Sequence, residues 1–108
     1  MGLAKKVQAL ITEDLARHLT LEQISAQLSA GQTALKTAFK GVYGVSIYSY
    51  LRSFRMQQAQ NLIRETNLPV ADIAAAVGYS NPAKFASAFK SETGLTPKEY
   101  KNSAALDS

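Results

Sequence analysis

The chain has 108 residues, enough for one compact domain or two very small ones sharing a linker, and its 46% apolar content is ordinary for a core-forming protein. It contains no cysteine, which removes disulfides, thiolate metal sites and cysteine nucleophiles, and fits a reducing cytoplasm as the expected compartment. Its formal net charge is +4 and its pI is near 9.5, a balance that favours anionic partners.

The placement of that charge matters more than its sum. Between Glu22 and Glu65 there is no acidic residue, yet Lys36, Lys40, Arg52, Arg55 and Arg64 all fall there. A long one-sign segment is the footprint expected of phosphate contact. The opening residues, Met-Gly-Leu-Ala-Lys-Lys, carry no signal-peptide apolar run, and no stretch is long enough to span a bilayer. No membrane association is expected.

In chain order, Leu3, Val7, Leu10, Ile11 and Leu15 are spaced for one face of a helix, which predicts a packing helix over Leu3–Leu19. His18, the single histidine, falls near its end and is expected at the surface or in a capping role. Thr20-x-x-Gln23 has capping-box spacing and opens a helix over Leu21–Leu28. Ser29-Ala30-Gly31 makes a turn, and Gln32–Tyr43 forms the next helix, with Leu35, Ala38, Phe39 and Val42 inward by periodicity. Gln32, Thr33, Lys36, Thr37 and Lys40 share its opposite face.

Ser46–Glu65 is the longest predicted helix, with apolar Ile47, Leu51, Phe54, Leu62 and Ile63, and with Ala59 permitting close approach. At about 1.5 Å per residue it spans roughly 30 Å. That is close to the roughly 34 Å of one DNA turn. Asn67-Leu68-Pro69 breaks it. Val70, Ile73, Ala74 and Val77 then give a short helix, and Gly78-Tyr79-Ser80-Asn81-Pro82 a turn in which Asn81 suits an N-cap and Pro82 the first helical position. The helix that follows carries Phe85, Ala88 and Phe89 inward and Ala83 and Ala86 outward. Gly94 ends it, and Thr96-Pro97-Lys98-Glu99 opens a last helix with a second capping box. After Tyr100 the small, polar tail KNSAALDS is expected to fray.

The chain also repeats itself. Leu21, Ile24, Ser25 and Leu28 match Val70, Ile73, Ala74 and Val77 at a constant offset. Leu35, Ala38, Phe39 and Lys40 match Phe85, Ala88, Phe89 and Lys90 at an offset one residue larger. Gly44-Val45-Ser46 and Tyr50 match Gly94-Leu95-Thr96 and Tyr100. One residue is inserted in the second turn. A lone helix-turn-helix pattern is a weak signal, but two in matching register indicate a duplicated unit.

With both units in view, the chain resembles the DNA-binding domain of the AraC/XylS family of bacterial transcription regulators. The resemblance covers roughly residues 10–101 and rests on Ile73-Ala74, Val77-Gly78-Tyr79-Ser80-Asn81-Pro82, Phe85, Ala88-Phe89-Lys90, Gly94-Leu95-Thr96-Pro97 and Tyr100, joined by Tyr50-Leu51-Arg52, Arg55, Ala59 and Leu62. It implies an all-α fold of seven helices, two homeodomain-like helix-turn-helix units joined by a long linker helix. The divisions expected here are 1–45, 46–66 and 67–108.

The resemblance implies a regulator, most often an activator, that binds double-stranded promoter DNA and contacts RNA polymerase. The two recognition helices are expected in successive major grooves. Carried over by position, groove-facing residues are Thr33, Lys36 and Thr37 in the first unit and Pro82, Ala83, Lys84 and Ser87 in the second. Gln32, Lys40, Asn81, Lys90 and the linker's Arg55 complete the expected DNA-binding set. Family members often carry arginine where this chain has Thr37 and Ser87. Arginine reads guanine bidentately, for about 1–3 kcal/mol of discrimination. Lys36 is therefore the best candidate for direct base contact here.

The second helix is poor in base-reading groups. It is expected to contribute phosphate contacts through Lys84 and Lys90, with apolar contact to thymine methyls. Most members join this domain to a separate sensory domain, so the chain is either a stand-alone short member or the C-terminal fragment of a longer regulator, the latter being the expectation adopted. No cofactor, metal or catalytic group is expected, since paired carboxylates, phosphate-binding glycine loops and metal-ligand spacings are missing from the sequence. A helical module that binds the transcription machinery without reading bases is the rival reading. RNA is disfavoured because no outward aromatic stripe is predicted.

Overall fold

The computed structural model describes the backbone of residues 2–107, with side chains as far as Ser103. Met1, Ser108 and the remaining side chains of the expected tail lie outside what is described. The described residues form seven helices and no strand: α1 (Leu3–Glu13), α2 (Leu21–Leu28), α3 (Gln32–Tyr43), α4 (Ile47–Glu65), α5 (Val70–Ala76), α6 (Pro82–Thr93) and α7 (Pro97–Asp107). They fall into two units, Met1–Phe54 and Arg55–Ser108, so the division passes through α4.

In the first unit, Val7 and Ile11 of α1, Ile24 of α2, Leu35 and Phe39 of α3, and Ile47 of α4 form one buried cluster. Phe39 sits edge-on to Tyr50 at 5.3 Å between ring centroids and tilted against Tyr43 at 4.6 Å. The Tyr50 hydroxyl accepts a hydrogen bond from Gln8 Nε2 at 3.1 Å, so the wet end of that ring is satisfied by α1.

The second unit buries Met56, Ala59 and Ile63 of α4, Ile73 and Ala74 of α5, Val77, and Phe85, Ala88 and Phe89 of α6. Phe85 and Phe89 are wholly inaccessible to solvent and 5.8 Å apart.

The repeat reaches further than the helix-turn-helix pairs. Buried Ala4, Val7 and Ile11 on α1 correspond to buried Met56, Ala59 and Ile63 on α4, each 52 positions on (56 − 4). The offset of α5 from α2 is 49 (70 − 21). The difference of three is the seven-residue connection 14–20 against the four-residue connection 66–69. Helix α4 therefore closes the first unit with its beginning and opens the second with its end.

The turns share one construction. The N–H of Ala30 donates to the Ser25 carbonyl at 3.2 Å, and the N–H of Tyr79 to the Ala74 carbonyl at 2.8 Å. Such a bond across five residues needs a left-handed residue just before the donor. Ser29 (φ 51°) and Gly78 (φ 98°) supply it. Gly44 and Gly94, also left-handed, end α3 and α6, their own N–H groups donating four residues back to the Lys40 and Lys90 carbonyls at 2.8 Å.

Four local expectations are corrected. Helix α1 stops at Glu13 rather than Leu19, because the Asp14 carboxylate accepts from the Ala16 N–H at 3.0 Å and its carbonyl from the Arg17 N–H at 3.1 Å, a side-chain turn that competes with the helix. His18 consequently lies exposed in the connection. Ser46 is outside α4, its hydroxyl accepting from the Ser49 N–H at 3.1 Å as a cap does. Val42, expected inward, is 62% exposed, and Ala86, expected outward, is half-buried. The backbone of α7 is helical to Asp107, past Tyr100, where the tail was expected to begin.

Candidate nucleic-acid interface

Helix α3 presents Gln32, Thr33, Lys36, Thr37 and Lys40 to solvent, all exposed as their spacing predicts. The opposite face is anchored by Leu35 and Phe39, both with no accessible surface, so the outward set is held by burial of the inward one. Lys36, Thr37, Lys40 and Gly41 line one shallow depression on this face. Lys36 and Lys40 also line a cavity of about 230 Å³ together with Leu21, Ser46, Ile47 and Tyr48.

No acidic residue lies anywhere on α3. Two ammonium groups one helical turn apart, flanked by two threonine hydroxyls, can meet a polyanion without internal neutralisation. Lys40 in the last turn also complements the helix dipole.

Helix α6 exposes Ala83, Lys84, Ser87 and Lys90. Asn81, although exposed, is occupied locally: its carboxamide oxygen accepts from the N–H groups of Ala83 at 2.8 Å and Lys84 at 3.2 Å. With Pro82 in the first turn, this is the expected cap. In α3 the corresponding cap is Gly31, which has no side chain for the task. The residue inserted in the second turn is Ser80, which stands between Tyr79, matched to Ala30, and the cap Asn81, matched to Gly31.

Arg55 stands apart from these exposed groups. It is half-buried on α4, with its guanidinium carbon 5.8 Å from the centre of the Tyr79 ring, and burial pushes its pKa below the ordinary arginine value. The structure thus brings five of the eleven sequence-derived residues together on α3 and gathers five more on α6 and its cap.

Tyr48, 63% exposed beside Lys36 and Lys40, was overlooked in the sequence. The usable signal was its place next to Ile47, whose burial turns the following side chain outward. Among the described residues no group of histidine, cysteine, aspartate or glutamate is gathered to hold a metal. No helix among them is long and apolar enough to cross a membrane.

A family described as a helix-turn-helix domain matches residues 24–103. An uncharacterized helix-turn-helix-type transcriptional regulator, YtdP of Bacillus subtilis, is 33% identical over 100 residues, which is 93% of this chain and 13% of that protein. The transcriptional activator RhaR of an Enterobacter species is 29% identical over 101 residues, 94% of this chain and 36% of RhaR. The chain thus spans well under half the length of either relative. Among solved structures, the C-terminal domain of AraT, a response regulator from Geobacillus stearothermophilus, superposes with a TM-score of 0.90 at 29% identity, covering 95% of this chain and 86% of that one. Paired helix-turn-helix units, a matching family over most of the length and relatives of the same architecture make this chain a member of the AraC/XylS family of bacterial transcription regulators, whose DNA-binding domain it comprises.

Proposed function

We propose that this domain binds a specific double-stranded promoter sequence by placing α3 and α6 in successive major grooves, and that it serves a transcription activator. The observation that carries this reading is the outward face of α3, where Thr33, Lys36, Thr37 and Lys40 are all exposed on a helix without acidic residues. Lys36 reads a base edge, and the threonines offer hydroxyls and methyls to neighbouring bases. Gln32 and Lys40 flank them.

On α6, Ala83 and Ser87 make close, weakly discriminating contacts while Lys84 and Lys90 meet phosphates. Asn81 holds the helix start against the backbone. Base selection therefore falls mainly to the first unit and anchoring to the second.

Activation is supported by RhaR, a named transcriptional activator that the chain matches over 94% of its own length. An activator requires RNA polymerase as a protein partner. The relatives' additional length is consistent with a sensory domain joined to this one, acting in the bacterial cytoplasm.

The test is selection of bound fragments from randomised double-stranded DNA at two salt concentrations. An asymmetric motif of two boxes about one helical turn apart is the expected result. Binding that only falls with salt and enriches no sequence would assign specificity to a protein partner instead.

A further inference from the structure

We propose that Arg55 is a positioning residue for the second recognition helix: through its contact with the Tyr79 ring and that ring's contact with Phe85, it sets the pose of the turn and of the first turn of α6. This rests on the DNA-binding reading above. The relay is continuous. The guanidinium lies 5.8 Å from the centre of Tyr79, and Tyr79 is edge-on to Phe85 at 5.7 Å. Phe85 lies 5.8 Å from Phe89, which meets Tyr100 of α7 edge-on at 5.5 Å. Removing a cation from water is costly, and an aromatic face offsets part of that cost. Such a placement is therefore not a neutral resting position for a long, flexible side chain.

The first unit shows what the contact is not for. At the repeat offsets, Tyr79 corresponds to Ala30 (79 − 49) and Arg55 to Leu3 (55 − 52), so that unit has neither ring nor cation at these places. Its turn nonetheless closes with the same five-residue bond, Ala30 N–H to Ser25 carbonyl. The helix-turn-helix fold does not require the pair. What distinguishes the second unit is the chemistry of its recognition helix: Ala83 and Ser87 are short, so contact with bases needs the α6 backbone brought close and held accurately. Lysines and threonines on α3 can adjust by rotamer changes. Alanine cannot.

The experiment uses the full chain with Arg55→Met, which keeps the stem and removes the cation, alongside Tyr79→Leu and the ring-preserving Tyr79→Phe. Affinity is measured on a selected two-box site and on the same site with the α6 box scrambled, across a salt series. Arg55→Met and Tyr79→Leu are expected to bind the complete site roughly 10-fold more weakly, the scale of a partly desolvated cation–aromatic contact. They should match the wild type on the scrambled site and keep its salt slope, and Tyr79→Phe should bind both sites as the wild type does. A slope smaller by about 0.9 for Arg55→Met would overturn the proposal by making Arg55 a direct phosphate contact. Unchanged affinity on the complete site, or equal losses on both sites, would overturn it as well.

Amide hydrogen exchange without DNA separates failure of this inference from failure of the DNA-binding reading. Faster exchange at the N–H groups of Tyr79 and Phe85 in Arg55→Met, with α2 and α3 unchanged, supports the relay even if no two-box site is found. Unchanged exchange there sinks it.

Discussion

Ser29 shows how much a single backbone angle decides. Its φ of 51° is the only positive value among the described non-glycine residues, and its counterpart in the repeat, Gly78 (78 − 49 = 29), meets the same requirement without a Cβ. A side chain in the left-handed region costs roughly 1–2 kcal/mol. Ser29→Gly is therefore expected to stabilise the first unit by about 1 kcal/mol, less whatever is lost to unfolded-state freedom. A thermal midpoint that stays the same or falls would show that the serine relieves its own strain.

Lys36 belongs to the same scale. Exposed and unopposed by acidic neighbours on α3, it is expected on Lys36→Ala to lose about 1–3 kcal/mol of specific binding and to relax preference at one base position. Selection with the variant would show which base, and an unaltered motif with unaltered affinity would remove Lys36 from the interface.

Among elements, α7 provides a cap whose strength varies with pH. The Glu99 carboxylate accepts a hydrogen bond from the Thr96 N–H at 2.9 Å, and the Thr96 hydroxyl accepts one from the Glu99 N–H at 3.1 Å. The backbone hydrogen bond, together with the Thr96 hydroxyl, holds the carboxyl below its ordinary value of 4.5. A group whose pKa is depressed on folding adds stability above its unfolded pKa and loses it as pH falls through the folded one. The α7 cap is thus expected to weaken on acidification below about pH 4.5 and to be insensitive at neutral pH. Glu99→Gln, which retains an acceptor without a charge, should flatten that acid limb. An acid transition identical in the two proteins would locate the sensitivity elsewhere.

The same element scale explains α1. Its apolar spacing continues past Glu13 to Leu15, yet Asp14 offers the backbone a turn of its own, and the helix ends there. A competing side-chain bond of this kind does not register in hydrophobic periodicity.

At the scale of the whole molecule, α4 is shared: Ile47 is buried in the first unit, while Met56, Ala59 and Ile63 are buried in the second. The chain passes from one unit to the other within this helix. Inserting two alanines between Phe54 and Arg55 would rotate one half by roughly 200° and lengthen the helix by about 3 Å. Two-box binding is expected to be lost while affinity for a first-box half-site stays at the wild-type level. Retention of full affinity for the complete site would mean that only one unit engages DNA.

What the sequence determined by itself was the set of helix boundaries with local chemistry behind them and the duplication that orders them. Thr20 with Gln23, Asn81 with Pro82, Thr96 with Glu99, and Gly44 and Gly94 all act within about one helical turn of their own position, so their meaning survives without knowledge of the rest of the chain. The exposed sets on α3 and α6 were legible for the same reason, because Phe39 and Phe85 orient each helix by periodicity.

Tertiary structure alone decided what covers each remaining face. Val42 matches the inward period of α3 but stands beside Gly2 and Leu3 at the thin start of α1, and is left exposed. Arg55 reads as one more cation in a basic stretch, yet it is half-buried against a ring 24 residues away (79 − 55). The role of α4 in both cores emerged only from burial. Caps and periodicity are short-range properties of a helix, whereas burial depends on which distant segment arrives against it, and that is settled by the packing of the folded unit.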